Sequence, residues 1–246
     1  MQNYYKTIGA MAAASALAAG IAQAEVEYAL HTGYSSEYIF RGQDLGSDLI
    51  EAGINASTEF AGLTVSAGAW FASYEDPAIS LINENELDIY GEVSKDFGFL
   101  TASVGYIWYI NSNSNLIVTD DAQEACFGIS RDFGFLTAEL TYYWDIETDN
   151  NGYTELALSR SFELNSCLNL NLSTAVGYGF ESQFDNSGSE QSGAFEAWTT
   201  KASVDWAFTE TATLSPYVAA SVDLDGDAGL AVGDELFAGT ILSVSF

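Results

Sequence analysis

The chain of 246 residues carries 35 acidic and only six basic side chains, which gives a formal net charge of −29 with its single histidine neutral. This balance excludes nucleic acid as a partner, because too few cations are present to neutralise phosphates, and it suits cations or a saline medium. Aromatic residues make up 14% of the chain and charged residues 17%, an unusual combination for a soluble exported protein.

Residues 1–24 have the organisation of a secretory signal peptide. Lys6 precedes a run of small apolar residues, and Ala22-Gln23-Ala24 fits a small-x-small cleavage site. We expect cleavage after Ala24, which leaves one domain over residues 25–246. No later segment reaches the roughly 18–20 consecutive apolar residues of a transmembrane helix.

The mature region alternates with a period of two, which is typical of strands rather than of helices. Between Leu100 and Ile110, the even-numbered residues are apolar and the odd-numbered residues are mostly smaller or more polar. The same alternation recurs between Leu136 and Glu147. These segments are therefore predicted to be strands with two different faces.

The heptapeptide DFGFLTA occurs twice, at Asp96–Ala102 and at Asp132–Ala138. An Asp-Phe-Gly tripeptide is found in protein kinases, but this chain has no glycine-rich loop, no matched lysine and no His-Arg-Asp loop. Each copy instead reads as a hairpin, in which one strand ends at Asp-Phe and the next begins at Leu-Thr-Ala. Gly98 and Gly134 supply the backbone freedom of the turn.

Short turns of the same kind are expected at 60–64, 162–166 and 208–211, which makes five such turns. Longer polar connections separate the remaining strands, so that five short turns and six loops define twelve strands. The longer loops are predicted near 42–48, 75–85, 112–121, 148–152, 182–193 and 224–234.

One face of these strands is nearly free of charge, while the other is acidic. A soluble β-sandwich would bury the first face against a second sheet. Lipid would cover it equally well, but only if the sheet closes, since hydrocarbon cannot satisfy open strand edges. The alternation of short turns and long loops favours an all-β fold, a transmembrane antiparallel up-and-down β-barrel in the outer membrane of a diderm bacterium. The terminal Phe246 agrees with this assignment and predicts that the barrel-assembly machinery binds the last strand.

The outward face predicts two aromatic girdles at the membrane interfaces. Three basic residues each lie two positions before a turn phenylalanine, where they would extend towards the phosphates of outer-membrane lipids. Chance placement of hydrated turn residues is the alternative. The predicted interface residues are Trp108, Trp144 and Trp198 at the loop ends and Lys95, Arg131 and Arg160 at the turn ends.

The inward face holds most of the carboxylates, which would give a water-filled lumen a negative potential. We expect a porin-like channel for passive diffusion of small cations or neutral solutes. A closed barrel with a structural or surface-interaction role is the alternative, because strand number alone does not show an open lumen. The predicted pore-lining residues are Glu37, Arg41, Glu51, Asp88, Glu92, Glu124, Glu139, Asp145, Glu155, Lys201 and Asp205.

The sequence offers little for catalysis or metal binding. His31 has no hydrolase signature near it, and one histidine with two scattered cysteines cannot supply a closed metal site. We expect no enzyme activity, no cofactor, and no disulfide between Cys126 and Cys167, which lie three predicted strands apart. The acidic loop 223–234 resembles a calcium loop, but Ala228 stands where glycine is needed, so weak calcium binding and simple hydration both remain open.

The segment YSSEYIFRGQDL, from Tyr34 to Leu45, resembles the N-terminal signature of the Gcw_chp family of bacterial outer-membrane proteins, also called TorF-type porins. That signature ends in Ser-Asp-Tyr-x-x-Arg-Gly, so Arg41 and Gly42 match, while Glu37 replaces the usual aspartate. The resemblance continues through ELDIYG and LTASVGY. It implies a signal peptide, a β-barrel and a porin role. Gly42 would let the chain turn at the outer rim, and Arg41 is expected to pair with a wall carboxylate rather than to bind a ligand.

Overall fold

The computed structural model describes residues 25–75, 83–112, 121–147, 150–180, 193–224 and 234–246. Twelve antiparallel strands close into a barrel in which strands adjacent in sequence are paired and β1 also pairs with β12. This confirms the predicted fold class and strand number, while the predicted signal peptide lies outside the described residues. No helix in the described part of the chain is long and apolar enough to cross a membrane. The strands are β1 (Val26–Phe40), β2 (Gln43–Phe60), β3 (Leu63–Glu75), β4 (Asn83–Asp96), β5 (Thr101–Ser112), β6 (Ala122–Asp132), β7 (Thr137–Asp145), β8 (Gly152–Asn165), β9 (Leu168–Gly179), β10 (Ala194–Ala207), β11 (Ala212–Asp223) and β12 (Glu235–Ser245).

The first and last strands close the barrel. The ladder between β1 and β12 joins residues 29–35 to residues 239–245. Beyond it, Tyr28 and Phe246 exchange two backbone hydrogen bonds of 3.0 Å, and their rings stack with centroids 6.0 Å apart. The terminal phenylalanine therefore takes part in the closure that a sheet in lipid requires.

Apolar side chains cover the outside of the barrel. Ile50, Val104 and Leu236 are 60%, 56% and 74% exposed, whereas Asp88 and Glu124 are 2% and 4% exposed and face the inside. A soluble protein has the opposite distribution, but in a bilayer this one buries its apolar surface and keeps its carboxylates away from hydrocarbon. The exposed apolar face and the closed topology place the barrel in an outer membrane.

The two copies of DFGFLTA form the same turn. The Gly98 N–H donates a hydrogen bond of 2.6 Å to Asp96 Oδ1, and the Gly134 N–H donates one of 2.6 Å to Asp132 Oδ1. The two glycines have φ values of +82° and +81°. The repeat thus encodes a hairpin turn, as predicted.

Substituting either turn glycine with alanine, G98A or G134A, is expected to lower the free energy of unfolding by about 1–2 kcal/mol, because an L side chain is strained at positive φ. A Cβ at either position would meet no atom within 4 Å, so backbone strain is the whole effect. Urea unfolding in detergent micelles, followed by tryptophan fluorescence, measures it. The two losses should be equal, and a loss at only one turn would show that the two turns differ.

The prediction of a loop near 42–48 is wrong. Strand β2 begins at Gln43, which lies opposite Phe40, so Arg41 and Gly42 alone form the turn. Their φ values of +51° and +87° are those of a two-residue hairpin turn. The polar residues that resembled a loop are strand residues of β2. The other five predicted loops fall between strand ends, and most of their residues lie outside those described.

Candidate functional site

A hairpin tip leaves the barrel wall between β1 and β2. The pairing of β1 with β12 ends at Ser35, and the pairing of β2 with β3 begins at Ser47. Within the described structure, residues Tyr38–Gly46, here called the hairpin tip, form ladder pairs only with one another. Two register irregularities interrupt the ladders, one within the tip and one just below it, and each inserts an extra residue into β2, which bends that strand.

Arg41 reaches the opposite side of the lumen. Its guanidinium donates two hydrogen bonds of 2.7 Å to the two carboxylate oxygens of Glu124 on β6. The same group lies over the rings of Tyr143 on β7 and Tyr153 on β8, at 4.6 and 4.5 Å from their centroids. Strands β7 and β8 lie across the ring from β1 and β2, so the tip spans the barrel. Arg41 thus has the wall carboxylate partner that the sequence predicted.

Gly42 brings the backbone of the tip against β10. A Cβ added to Gly42 would overlap the Cβ of Ala197. Two constraints therefore require glycine at position 42: its φ of +87° and its close approach to the wall.

Aromatic side chains fill the space between the tip and strands β3–β5. The Tyr38 ring lies 5.7 Å from Trp70 and 5.0 Å from Tyr74, measured between centroids. Phe40 lies 6.0 Å from Tyr109 in the same way. On this side, the tip and the wall form one packed cluster.

Two of these aromatic residues donate hydrogen bonds to buried carboxylates. The Tyr38 hydroxyl donates to Glu86 at 2.9 Å, and the Tyr109 hydroxyl donates to Glu124 at 2.9 Å. Buried carboxylates are costly unless they are hydrogen-bonded. The inward aromatic residues were not predicted. Tyr109 could have been, because it is one of the odd-numbered residues of β5, which the alternation places on the inner face.

A cavity of about 300 Å³ lies on the other side of the tip, against strands β7–β10. Small residues such as Ala157, Ser173 and Ala175 on β8 and β9 line the cavity beside its charged residues. Of the predicted pore-lining residues, the cavity brings together Arg41, Glu139, Glu155 and Lys201.

The other predicted pore-lining residues are distributed along the barrel. Asp205 accepts hydrogen bonds from Asn171 at 2.8 Å and from Ser215 at 2.7 Å. Asp145 lies at the end of β7 and accepts the Glu147 N–H at 2.9 Å. The rest lie as follows: Glu37 precedes the tip on β1, Glu51 accepts from Trp70 Nε1 at 2.6 Å, Asp88 is buried on β4, and Glu92 borders a smaller cavity with Glu139.

The predicted interface residues occupy the outer surface at both ends of the barrel. Trp108, Trp144 and Trp198 are all exposed. The three basic residues each lie over the phenylalanine two positions later: Lys95 over Phe97 at 5.4 Å, Arg131 over Phe133 at 5.0 Å and Arg160 over Phe162 at 4.8 Å. This cation–π arrangement holds the cations beside apolar surface, and their contact with lipid phosphates stays a prediction.

In the described part of the chain, no group of three histidine, cysteine or acidic residues is placed to hold a metal ion. Cys126 and Cys167 are free thiols, the first buried and the second exposed. Most of the loop considered for calcium lies outside the described residues. The expected absence of enzyme activity stays a prediction.

The sequence matches a family model described as "Bacterial protein of unknown function (Gcw_chp)" over residues 19–237. The chain belongs to the Gcw_chp family. This confirms the resemblance seen around Arg41 and Gly42, and in this Gcw_chp protein the two matching residues form the turn of the hairpin tip. No curated protein matches the sequence.

Solved outer-membrane channels are similar in structure to this Gcw_chp protein. The COG4313 outer membrane channel from Pseudomonas putida F1 is 10% identical with a TM-score of 0.56, over 91% of this chain and 95% of that one. The NanC porin is 13% identical with a TM-score of 0.53, over 88% and 98%. The KdgM porin is 9% identical with a TM-score of 0.51, over 89% and 99%. At these identities, the likeness shows a shared fold.

Proposed function

We propose that the protein is a passive channel for small hydrophilic solutes and that it prefers cations to anions. The charge around the cavity beside the hairpin tip carries this proposal. Glu139 and Glu155 border the cavity, while the cation of Arg41 is already neutralised by Glu124. A surplus of carboxylates in a confined, water-filled space attracts cations and repels anions.

Lys201 is the second cation at this cavity, and it does not reverse the sign of the lumen. Its ammonium group interacts electrostatically with Glu51 and Asp205. It also lies 3.7 Å from the centroid of the Tyr217 ring. Two carboxylates therefore balance the single positive charge.

A closed barrel with a role in envelope structure or surface interaction is the second candidate. The aromatic cluster between the tip and strands β3–β5 favours it, because this cluster fills part of the lumen. Recording from the wild-type protein in a planar bilayer separates the two candidates. Discrete current steps support the channel, and a membrane that stays silent after insertion supports the closed barrel.

The double variant E139Q/E155Q is expected to reduce the ratio of cation to anion permeability by about twofold or more, because it removes two charges beside the cavity without changing side-chain size. The reversal potential across a planar bilayer under a KCl gradient measures this ratio. E210Q is the matched control, since Glu210 is exposed in the turn between β10 and β11. A wild-type preference for anions, or an unchanged ratio in the double variant, would count against the proposal.

A further inference from the structure

Side-chain contacts, rather than the sheet, hold the hairpin tip across the lumen. Within the described structure, the tip forms ladder pairs only with itself. The Arg41–Glu124 ion pair, the hydrogen bond from Tyr38 to Glu86 and several ring contacts join it to the wall. Such contacts can be exchanged for water without breaking the closed sheet, as in local opening of a folded protein.

The base of the tip has the backbone features of a hinge. The register of β1 with β2 shifts between Tyr38 and Ile39, and the register of β2 with β3 shifts between Ser47 and Ile50. Asp48, within the second irregularity, has a φ of +51°. The first irregularity lies within the tip and the second just below it, and in both the extra residue is on β2. This strand can therefore bend there while the ladders below stay intact.

A buried thiol lies in the far wall, close enough to Arg41 of the tip to interact with it electrostatically. Cys126 is 6% exposed and lies two residues after Glu124, on the same face of β6. It belongs to the buried cluster that also contains Tyr109 and Tyr143. Cys126 is therefore a natural reporter of whether the tip lies against strands β6–β8.

We infer that the hairpin tip is a hinged, size-selecting element and that the Arg41–Glu124 ion pair locks it across the lumen. In the locked state, solutes are confined to the space beside strands β7–β10. When the ion pair is broken, the tip moves away from β6–β8, the bore widens and water reaches Cys126. The inference rests on the proposed channel function and assigns the choice of solutes by size to Arg41.

Labelling of Cys126 tests the lock without any need for current. With C167S as the background, Cys126 is the single remaining thiol. R41Q is expected to speed its reaction with a membrane-impermeant maleimide in lipid vesicles by on the order of tenfold, because opening becomes easier. R160Q is the matched control, since Arg160 lies over Phe162 on the outer surface. Equal and slow labelling in R41Q and R160Q would overturn the inference.

R41K provides a second variant if R41Q does not fold, as judged by heat-modifiable migration in gels. Lysine keeps the charge but cannot form the bidentate hydrogen bond, so Cys126 in R41K should be labelled at a rate between those of the wild type and R41Q. A wild-type rate in R41K would overturn the lock.

Current recordings on the same variants distinguish the two proposals. Fast labelling of R41Q without current in any variant would contradict the channel and leave the lock supported. Cation-selective current with unchanged labelling would contradict the lock and leave the channel supported.

Discussion

The variant E124Q is expected to lower the free energy of unfolding by about 3 kcal/mol, because it leaves the buried guanidinium of Arg41 without a countercharge. The Arg41 and Glu124 side chains are only 7% and 6% exposed, so water cannot replace the lost partner while the tip stays in place. Urea unfolding of the barrel in detergent micelles, followed by tryptophan fluorescence, measures the loss.

The double variant R41Q/E124Q is the decisive control for that prediction. It removes both charges, so neither member of this pair is left as an unpaired ion, and it should be more stable than E124Q alone. E210Q, which changes an exposed turn, should have an effect within about 0.5 kcal/mol of zero. A loss in E124Q no larger than that in E210Q would mean that the ion pair does not hold the tip.

The variant G42A is expected to lower the free energy of unfolding by about 2–5 kcal/mol, because two costs add. A side chain at positive φ costs about 1–2 kcal/mol, and forcing an atom into a packed contact costs about 1–3 kcal/mol. The second cost arises because the new Cβ would overlap that of Ala197. The same unfolding measurement applies.

Gly62 separates these two costs. Its φ of +75° is similar to the +87° of Gly42, but a Cβ added there meets no atom within 4 Å. G62A should therefore show only the backbone cost, and G42A/A197G should recover the packing cost. Equal losses in G42A and G62A would mean that the tip does not contact β10.

The strands and most of the short turns were predictable from the sequence because their signals are local. The turn expected at 162–166 is displaced, because β8 continues to Asn165 and β9 begins at Leu168. Alternation places Ile107 and Tyr109 on the inward parity of β5, and both are buried, whereas Val104 has the other parity and is exposed. The two copies of DFGFLTA carry the Asp and Gly that form the same turn hydrogen bond within three residues. Neither feature depends on distant parts of the chain.

The hairpin tip was not predictable because its partners are distant in sequence. Arg41 and Glu124 are 83 residues apart, and parity gives the face of a strand but not the depth at which a side chain lies. The polar run after Gly42 has the same composition in a surface loop as in a strand inside a wet lumen. No prediction was made for Trp70, which is buried inside the barrel, because tryptophan in a barrel strand is also typical of the membrane interface.

A chemical cross-link between the tip and the barrel wall tests most directly whether the hairpin lies inside the lumen. In a background without the two native cysteines, F40C/Y109C should be joined by a short bismaleimide, since Phe40 of the tip and Tyr109 of β5 pack with ring centroids 6.0 Å apart. The pair A157C/A175C is the positive control, because these residues lie opposite each other on β8 and β9 whatever the tip does. Cross-linking of both pairs is the predicted result. Cross-linking of the control pair alone would show that the tip lies elsewhere and that the lumen is not divided by it.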